Sequence, residues 1–162
     1  MAPNLRLNAV AFISPQNHPI LIRTFVKQDA HAIKYHYIAH TSLDIVEERV
    51  SSGGKSLDCY LGLLYSLEDV AVYGYITPLK VKIILTFAAT DTVIKDVEVN
   101  MIFKAMHMAY YSSIANPFLK LDIHSDAIQT HSPYLQAGSP KWKAFRQRVD
   151  EISRAIGSNA PP

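Results

Sequence analysis

Apolar residues alternate or run together in five short stretches and recur at three- and four-residue steps in three longer ones. The first stretch, Asn8 to Ser14, is apolar on both faces: Val10 and Phe12 point one way, and Ala9, Ala11 and Ile13 point the other. A strand of that kind has to be covered from both sides. Ser14 to His18 reads as a turn, and Ile20 to Phe25 as a second strand that completes a hairpin. Three further strands follow in quick succession: Tyr60 to Ser66, Val70 to Thr77 and Val81 to Phe87. Turns at Glu68-Asp69 and Pro78-Leu79 join them. In the last strand Val81, Ile83, Leu85 and Phe87 share one face.

Between the hairpin and these strands the period changes to that of a helix. It is expected to open near Asp29 or Ala30 and to stop at Gly53-Gly54, where glycine supplies the left-handed residue that ends many helices. Ala32, Ala39, Leu43, Val46 and Val50 make a stripe suited to packing on a sheet. At about 100° per residue, Ile38 and Ile45 fall on nearly the opposite side, with Tyr37 and Asp44 between. A free surface would be largely polar there, so the outer face reads as one that another protein covers. Tyr37, Ile38, Thr41, Asp44 and Ile45 are the candidate contact residues. An acidic group flanked by apolar anchors suits a directional contact at an interface rim.

A second helix is expected from Asp91 or Thr92 to about Ala115, with Val99, Phe103, Met106, Tyr110 and Ile114 on its buried side. Asn116-Pro117 ends it. Met101, Ala105 and Met108 form another stripe, which either seats the final helix or faces a partner, methionine being adaptable at both. Residues 117–138 have no steady period and read as a long loop, a class that is usually functional or mobile. Ser139-Pro140 reads as an N-cap followed by a first-turn proline. Trp142, Phe145, Val149, Ile152 and Ile156 then mark a third, amphipathic helix, and Gly157 to Pro162 read as a frayed tail. Two-sided strands need helices on both faces. The predicted fold is α+β: a five-stranded antiparallel sheet with one helix on one face and two on the other. It forms a single domain over 1–162, with an ordered core from about 8 to 156.

Composition narrows the function classes. A chain of 162 residues with 49% hydrophobic side chains can bury roughly 70% of its unfolded surface. The mean hydropathy of +0.05 is slightly high for a soluble monomer and fits a buried interface. A formal net charge of +2 is too small to imply nucleic acid. Cys59 is the only cysteine, so no internal disulfide forms, which fits a reducing compartment. The apolar run Ala9 to Ile13 is too short and too poorly flanked for a signal peptide. No run approaches the roughly 20 residues of a membrane span. The expectation is a cytoplasmic protein with at most peripheral membrane contact.

Candidate chemistry is sparse. His36 and His40 have the four-residue spacing of a zinc pair, but Tyr37 stands where a zincin carries glutamate, and no third ligand is evident. Gly54-Lys55-Ser56 ends like a phosphate-binding loop, yet Arg49 stands at the required earlier glycine, and the segment leaves a helix for a strand, the reverse of the functional order. Ser42 and Asp44 lack any nucleophile elbow. Cys59 has no reactive signature. The sequence therefore calls for no catalytic residue, metal or cofactor, and the expectation is a non-enzyme. Lys141, Lys143, Arg146 and Arg148 make the last helix basic. Contact with an acidic lipid surface and a simply solvated face both fit, and the Arg146 stem lies close enough to the apolar stripe to pack on it.

Several short words taken together carry a resemblance. They are Asn17-His18-Pro19 leading into Ile20-Leu21-Ile22-Arg23, Tyr35-His36-Tyr37 followed by His40-Thr41-Ser42-Leu43-Asp44, Tyr60-Leu61-Gly62-Leu63-Leu64-Tyr65, Val72-Tyr73-Gly74-Tyr75, and Asn116-Pro117-Phe118. In order and spacing, from about Asn8 to Ile156, the chain resembles the sedlin family of TRAPP subunits, which have the longin-like (SNARE-like) fold. The resemblance implies strand order 2-1-5-4-3 with the first helix alone on one face. It also implies a non-catalytic adaptor in a TRAPP-type tethering complex. That complex is a guanine-nucleotide exchange factor for Rab GTPases in ER–Golgi and Golgi vesicle transport. The implied partners are other TRAPP subunits, with indirect action on a Rab, at a place peripheral to Golgi and ER–Golgi membranes. The chain departs from the family pattern between Phe118 and Ser139. Two rival readings remain: a free-standing longin-type domain that binds a peptide or small GTPase, and a small metal-dependent hydrolase using His36 and His40.

Overall fold

The interior strand β1 (Leu7–Ile13) is buried at every position, and the rest of the chain is arranged to cover it. The computed structural model describes residues 5–25, 32–52, 59–89, 93–115 and 142–158. After β1 come β2 (Pro19–Thr24), α1 (Ala32–Ser52), β3 (Tyr60–Ser66), β4 (Val70–Ile76), β5 (Lys82–Ala88), α2 (Asp96–Ile114) and α3 (Lys143–Ser158). The sheet runs β2-β1-β5-β4-β3, and every neighbouring pair is antiparallel. Hairpin β1–β2 forms one side of the sheet. The chain then crosses to the far edge and returns through β3, β4 and β5, so that β5 pairs with β1.

The two faces of β1 feed two separate cores. Val10 and Phe12 pack with Ile83, Leu85 and Phe87 of β5, Val99, Phe103 and Met106 of α2, and Phe145 and Val149 of α3. Phe12 meets Phe145 edge-on, with ring centres 5.1 Å apart, and Tyr75 stacks on Phe103 at 5.2 Å. Such aromatic pairs add directional contact to plain burial. Ala9, Ala11 and Ile13 join Ile84 and Val72 beneath Tyr35, Ile38, Ala39, Leu43 and Val46 of α1. The small side chains of Ala9 and Ala11 form the floor on which that helix rests.

Local chemistry explains the element boundaries. In the β1–β2 turn, Ser14 N–H donates to the His18 carbonyl at 2.8 Å and Asn17 N–H to the Ser14 carbonyl at 2.9 Å. Asn17 adopts φ 65, a left-handed conformation that asparagine tolerates. The second helix departs from its expected start. Asp91 and Thr92 lie outside the described residues, and Val93 to Lys95 are not helical. Lys95 is the N-cap, extended at φ −83, ψ 130 and without a side-chain cap bond. The helix instead opens with Asp96 and Glu98 in its first turn, where negative charge complements the helix dipole. The Tyr60 hydroxyl donates to Asp96 at 2.7 Å and ties that end to β3. The expected Gly53-Gly54 stop, the Gly54-Lys55-Ser56 segment, the 117–138 loop and the Ser139-Pro140 cap all lie outside the described residues.

Among the described residues, three side-chain bonds join α1 to the edge strand β3. The Arg49 guanidinium donates to the Leu61 and Leu63 carbonyls at 2.5 and 2.7 Å. Farther along, the Tyr65 hydroxyl donates to the Ile38 carbonyl at 3.2 Å. Burial, chiefly, pushes the Tyr65 phenol above its usual range, so it stays a donor at neutral pH.

Gly74 of β4 is required by packing rather than by conformation. A Cβ there would lie 2.9 Å from Leu64 Cδ1 and 3.1 Å from both Cδ2 and Cγ, so the whole Leu64 side chain would have to move. Gly74→Ala is expected to lower stability by about 1–3 kcal/mol, the usual cost of overpacking. The loss should shrink in a Leu64→Ala background, as the two changes share one space. Urea unfolding of the four proteins measures this, and additive losses would show that the two sites are independent.

Candidate functional site

The exposed side of α1 is set by which of its residues the sheet takes. Tyr35, Ile38, Ala39, Ser42, Leu43 and Val46 are buried. Their common direction is rotated by roughly 50° from the stripe read from Ala32 to Val50 at 100° per residue. Ile38 therefore does not sit on the outer face. It is 2% exposed and belongs to the core under α1, which corrects the expectation for that residue. Two residues account for the rotation. Tyr35 goes inward despite its hydroxyl. Ser42, polar yet fully buried, satisfies its hydroxyl by donating to the Ile38 carbonyl at 2.7 Å. Counting only aliphatic residues missed both and misplaced the centre of the stripe.

Ile45 is intermediate: it is half-buried and packs against the same core. The other candidates stay outside. Tyr37 is 72% exposed, and Asp44 is exposed. Thr41 is half-buried, its hydroxyl donating back to the Tyr37 carbonyl at 2.9 Å. Ile33, one turn before Tyr37, is 81% exposed; its four-residue step to Tyr37 was the sequence signal for it. The outer face of α1 thus presents Ile33, Tyr37, His40 and Asp44. A helix surface with an isoleucine and a tyrosine this open to water presents apolar area of the kind that anchors interfaces.

A second apolar ridge lies on α2. Met101 and Met108 are 66% and 59% exposed, and Val97 and Tyr111 are exposed beside them. The methionines are therefore not a covered seat for α3. That helix packs through Phe145 and Val149 instead, and of the stripe Ala105 and Met108 border the cleft between α2 and α3, with Arg148 and Ile152, while Met101 does not. The two ridges belong to helices that pack on different cores, hence on opposite faces of the sheet.

Catalytic chemistry finds little to work with in this arrangement. His36 is half-buried and His40 exposed. Among the described residues no group of three or more His, Cys, Asp or Glu side chains could hold a metal, and no described helix is long and apolar enough to cross a membrane.

A five-stranded antiparallel sheet in the order 2-1-5-4-3, carrying three helices, defines a longin-like α+β domain. The family model described as Sedlin matches residues 12–137, and the chain belongs to the sedlin family. It is similar to the trafficking protein particle complex subunit 2-like protein of several animals and an amoeba. Identity to that of Taeniopygia guttata is 39% over 127 residues, covering 75% of this chain and 90% of the relative. For Bos taurus it is 41% over 113 residues, 67% and 80% of the two chains. For Dictyostelium discoideum it is 39% over 118 residues, 71% and 84%. These relatives are named as subunits of a trafficking protein particle complex.

The corrected face separates structural from surface residues in one experiment. Ile38→Ala should lower the unfolding free energy by about 2–5 kcal/mol, as for other buried large-to-small changes. Tyr37→Ala and Asp44→Arg should stay within about 0.5 kcal/mol of the parent. Chemical denaturation of the isolated chain reads all three, and a large loss in Asp44→Arg would make that carboxylate part of the fold.

Proposed function

We propose that this chain is a non-catalytic adaptor subunit of a TRAPP-type tethering complex. Its outer α1 face, centred on Tyr37, Thr41, Asp44 and Ile45 and extended by Ile33, is the docking surface for a neighbouring subunit. One observation carries this reading beyond the family: apolar residues stand open to water on both α1 and α2, helices packed on opposite faces of one sheet. A domain with two such faces can hold two neighbours in fixed register. Apolar anchors beside the Asp44 carboxylate give the α1 contact both burial and direction. The mechanism is positional: the subunit supports assembly, and nucleotide exchange on a Rab GTPase happens elsewhere in the complex. Its place is cytoplasmic, peripheral to Golgi and ER–Golgi membranes.

Gentle purification of the tagged chain from its own cells tests the proposal. The parent should bring down a stable set of tethering-complex subunits. Tyr37→Ala with Asp44→Arg should lower their recovery about tenfold or more, the effect of removing interface hot spots, while the variant stays folded. Recovery of the parent alone, or with a single peptide partner, would instead favour a free-standing binding domain. Unchanged recovery of the variant would move the docking surface away from α1.

A further inference from the structure

A cleft of about 700 Å³ opens where the start of β1, the end of β2 and the last turns of α3 come together. That volume lies inside the range of roughly 300–1,000 Å³ typical of small-ligand sites. Among the described residues, three guanidinium groups line it, Arg6, Arg23 and Arg154, with one carboxylate, Asp150, and the hydroxyls of Thr24 and Ser153. Three positive groups against one negative leave an excess of two positive charges. The whole chain carries a formal +2, so this one cleft holds an excess as large as that of the entire molecule.

The charges are arranged rather than merely close. Arg23 Nε donates to Asp150 Oδ1 at 2.9 Å, and Arg23 Nη2 to Oδ2 at 2.7 Å. Both oxygens of Asp150 are thus engaged by Arg23, which orients that guanidinium and joins β2 to α3. Arg154 lies one helical turn beyond Asp150, and its Nε donates to the Asp150 backbone carbonyl at 3.4 Å. Arg6 is exposed at the mouth. Guanidinium groups that share a cleft repel one another, and an anion seated among them relieves that repulsion. Their planar forks match tetrahedral oxyanions.

The geometry points to a binding site for a phosphomonoester in this cleft, with Arg6 and Arg154 as its principal donors and Arg23 held in place by Asp150. A phosphomonoester is close to doubly charged at neutral pH, its second pKa being about 6, and so balances the excess of two. A carboxylate would leave one positive charge uncompensated. The same group occurs on small soluble molecules and on the headgroup of phosphatidate-type lipids. This inference stands apart from the adaptor reading, because none of its residues belongs to the docking faces of α1 or α2.

The test uses the full chain at physiological salt, with two probes. Glycerol 3-phosphate is titrated calorimetrically, and flotation measures binding to phosphatidylcholine vesicles containing phosphatidate. Saturable binding is expected in at least one arm: a response to glycerol 3-phosphate identifies a soluble ligand, and a response to vesicles alone identifies a lipid headgroup. Arg6→Gln with Arg154→Gln should weaken it about tenfold or more, as loss of charge-assisted bonds does. Lys143→Gln with Arg148→Gln, an equal loss of charge elsewhere on α3, should leave it in place. Unfolding midpoints are measured alongside; if the first pair lowers its own midpoint, Arg154→Gln alone carries the comparison. No saturation with either probe overturns the site. So does an equal loss in the control pair, or equal flotation on phosphatidylserine vesicles of matched charge.

Discussion

Everything in this molecule follows from a strand that water cannot touch on either side. All seven residues of β1 are buried, and alternation sends its side chains into two different cores. A single layer of helices would leave one face wet, so the fold needs α1 on one side and the pair α2 and α3 on the other. Burial of apolar area at roughly 25 cal/mol per Å² drives both layers. Neither layer would be stable on its own, because each lacks the sheet that closes it.

Covering the sheet uses only part of each helix. In α1 the inner side goes to Tyr35, Ile38 and Val46, in α2 to Val99, Phe103 and Met106. What remains outside is unusual, since Ile33 and Tyr37 on one helix and Met101 and Met108 on the other are apolar and open. Single exposed apolar residues are ordinary on any protein. Grouped along a helix on each side of one sheet, they are the two places where the proposed adaptor would meet its neighbours. The sheet would hold those places at a fixed spacing.

The strands were readable because alternation is a strong local signal, whereas their order came only with the family resemblance. Val10 and Phe12 against Ala9 and Ala11 announced a two-sided strand, and Val81 to Phe87 a further strand. The outer face of α1 was only half readable. Tyr37 and Asp44 lie outside as expected, whereas Ile38 lies in the core, because Tyr35 and Ser42 turn inward. A tyrosine and a serine do not advertise burial. Only the bond from Ser42 to the Ile38 carbonyl makes the buried hydroxyl tolerable. The start of α2 also differs from the expectation: Asp91 and Thr92 are good caps by type, yet Val93 to Lys95 are not helical and the helix opens only at Asp96. The arginine cleft was beyond the reach of any local pattern, since Arg23 and Asp150 stand 127 positions apart.

The outermost strand raises a different matter. A β-strand with one open side is a template on which any extended peptide, including another copy of the same chain, can grow. Here two carbonyls of β3, those of Leu61 and Leu63, are already taken by Arg49 reaching down from α1. An incoming strand would have to strip away a charged donor before it could lay down its own ladder. Along the β3 edge the protein is therefore guarded against the indiscriminate stacking that leads to fibres.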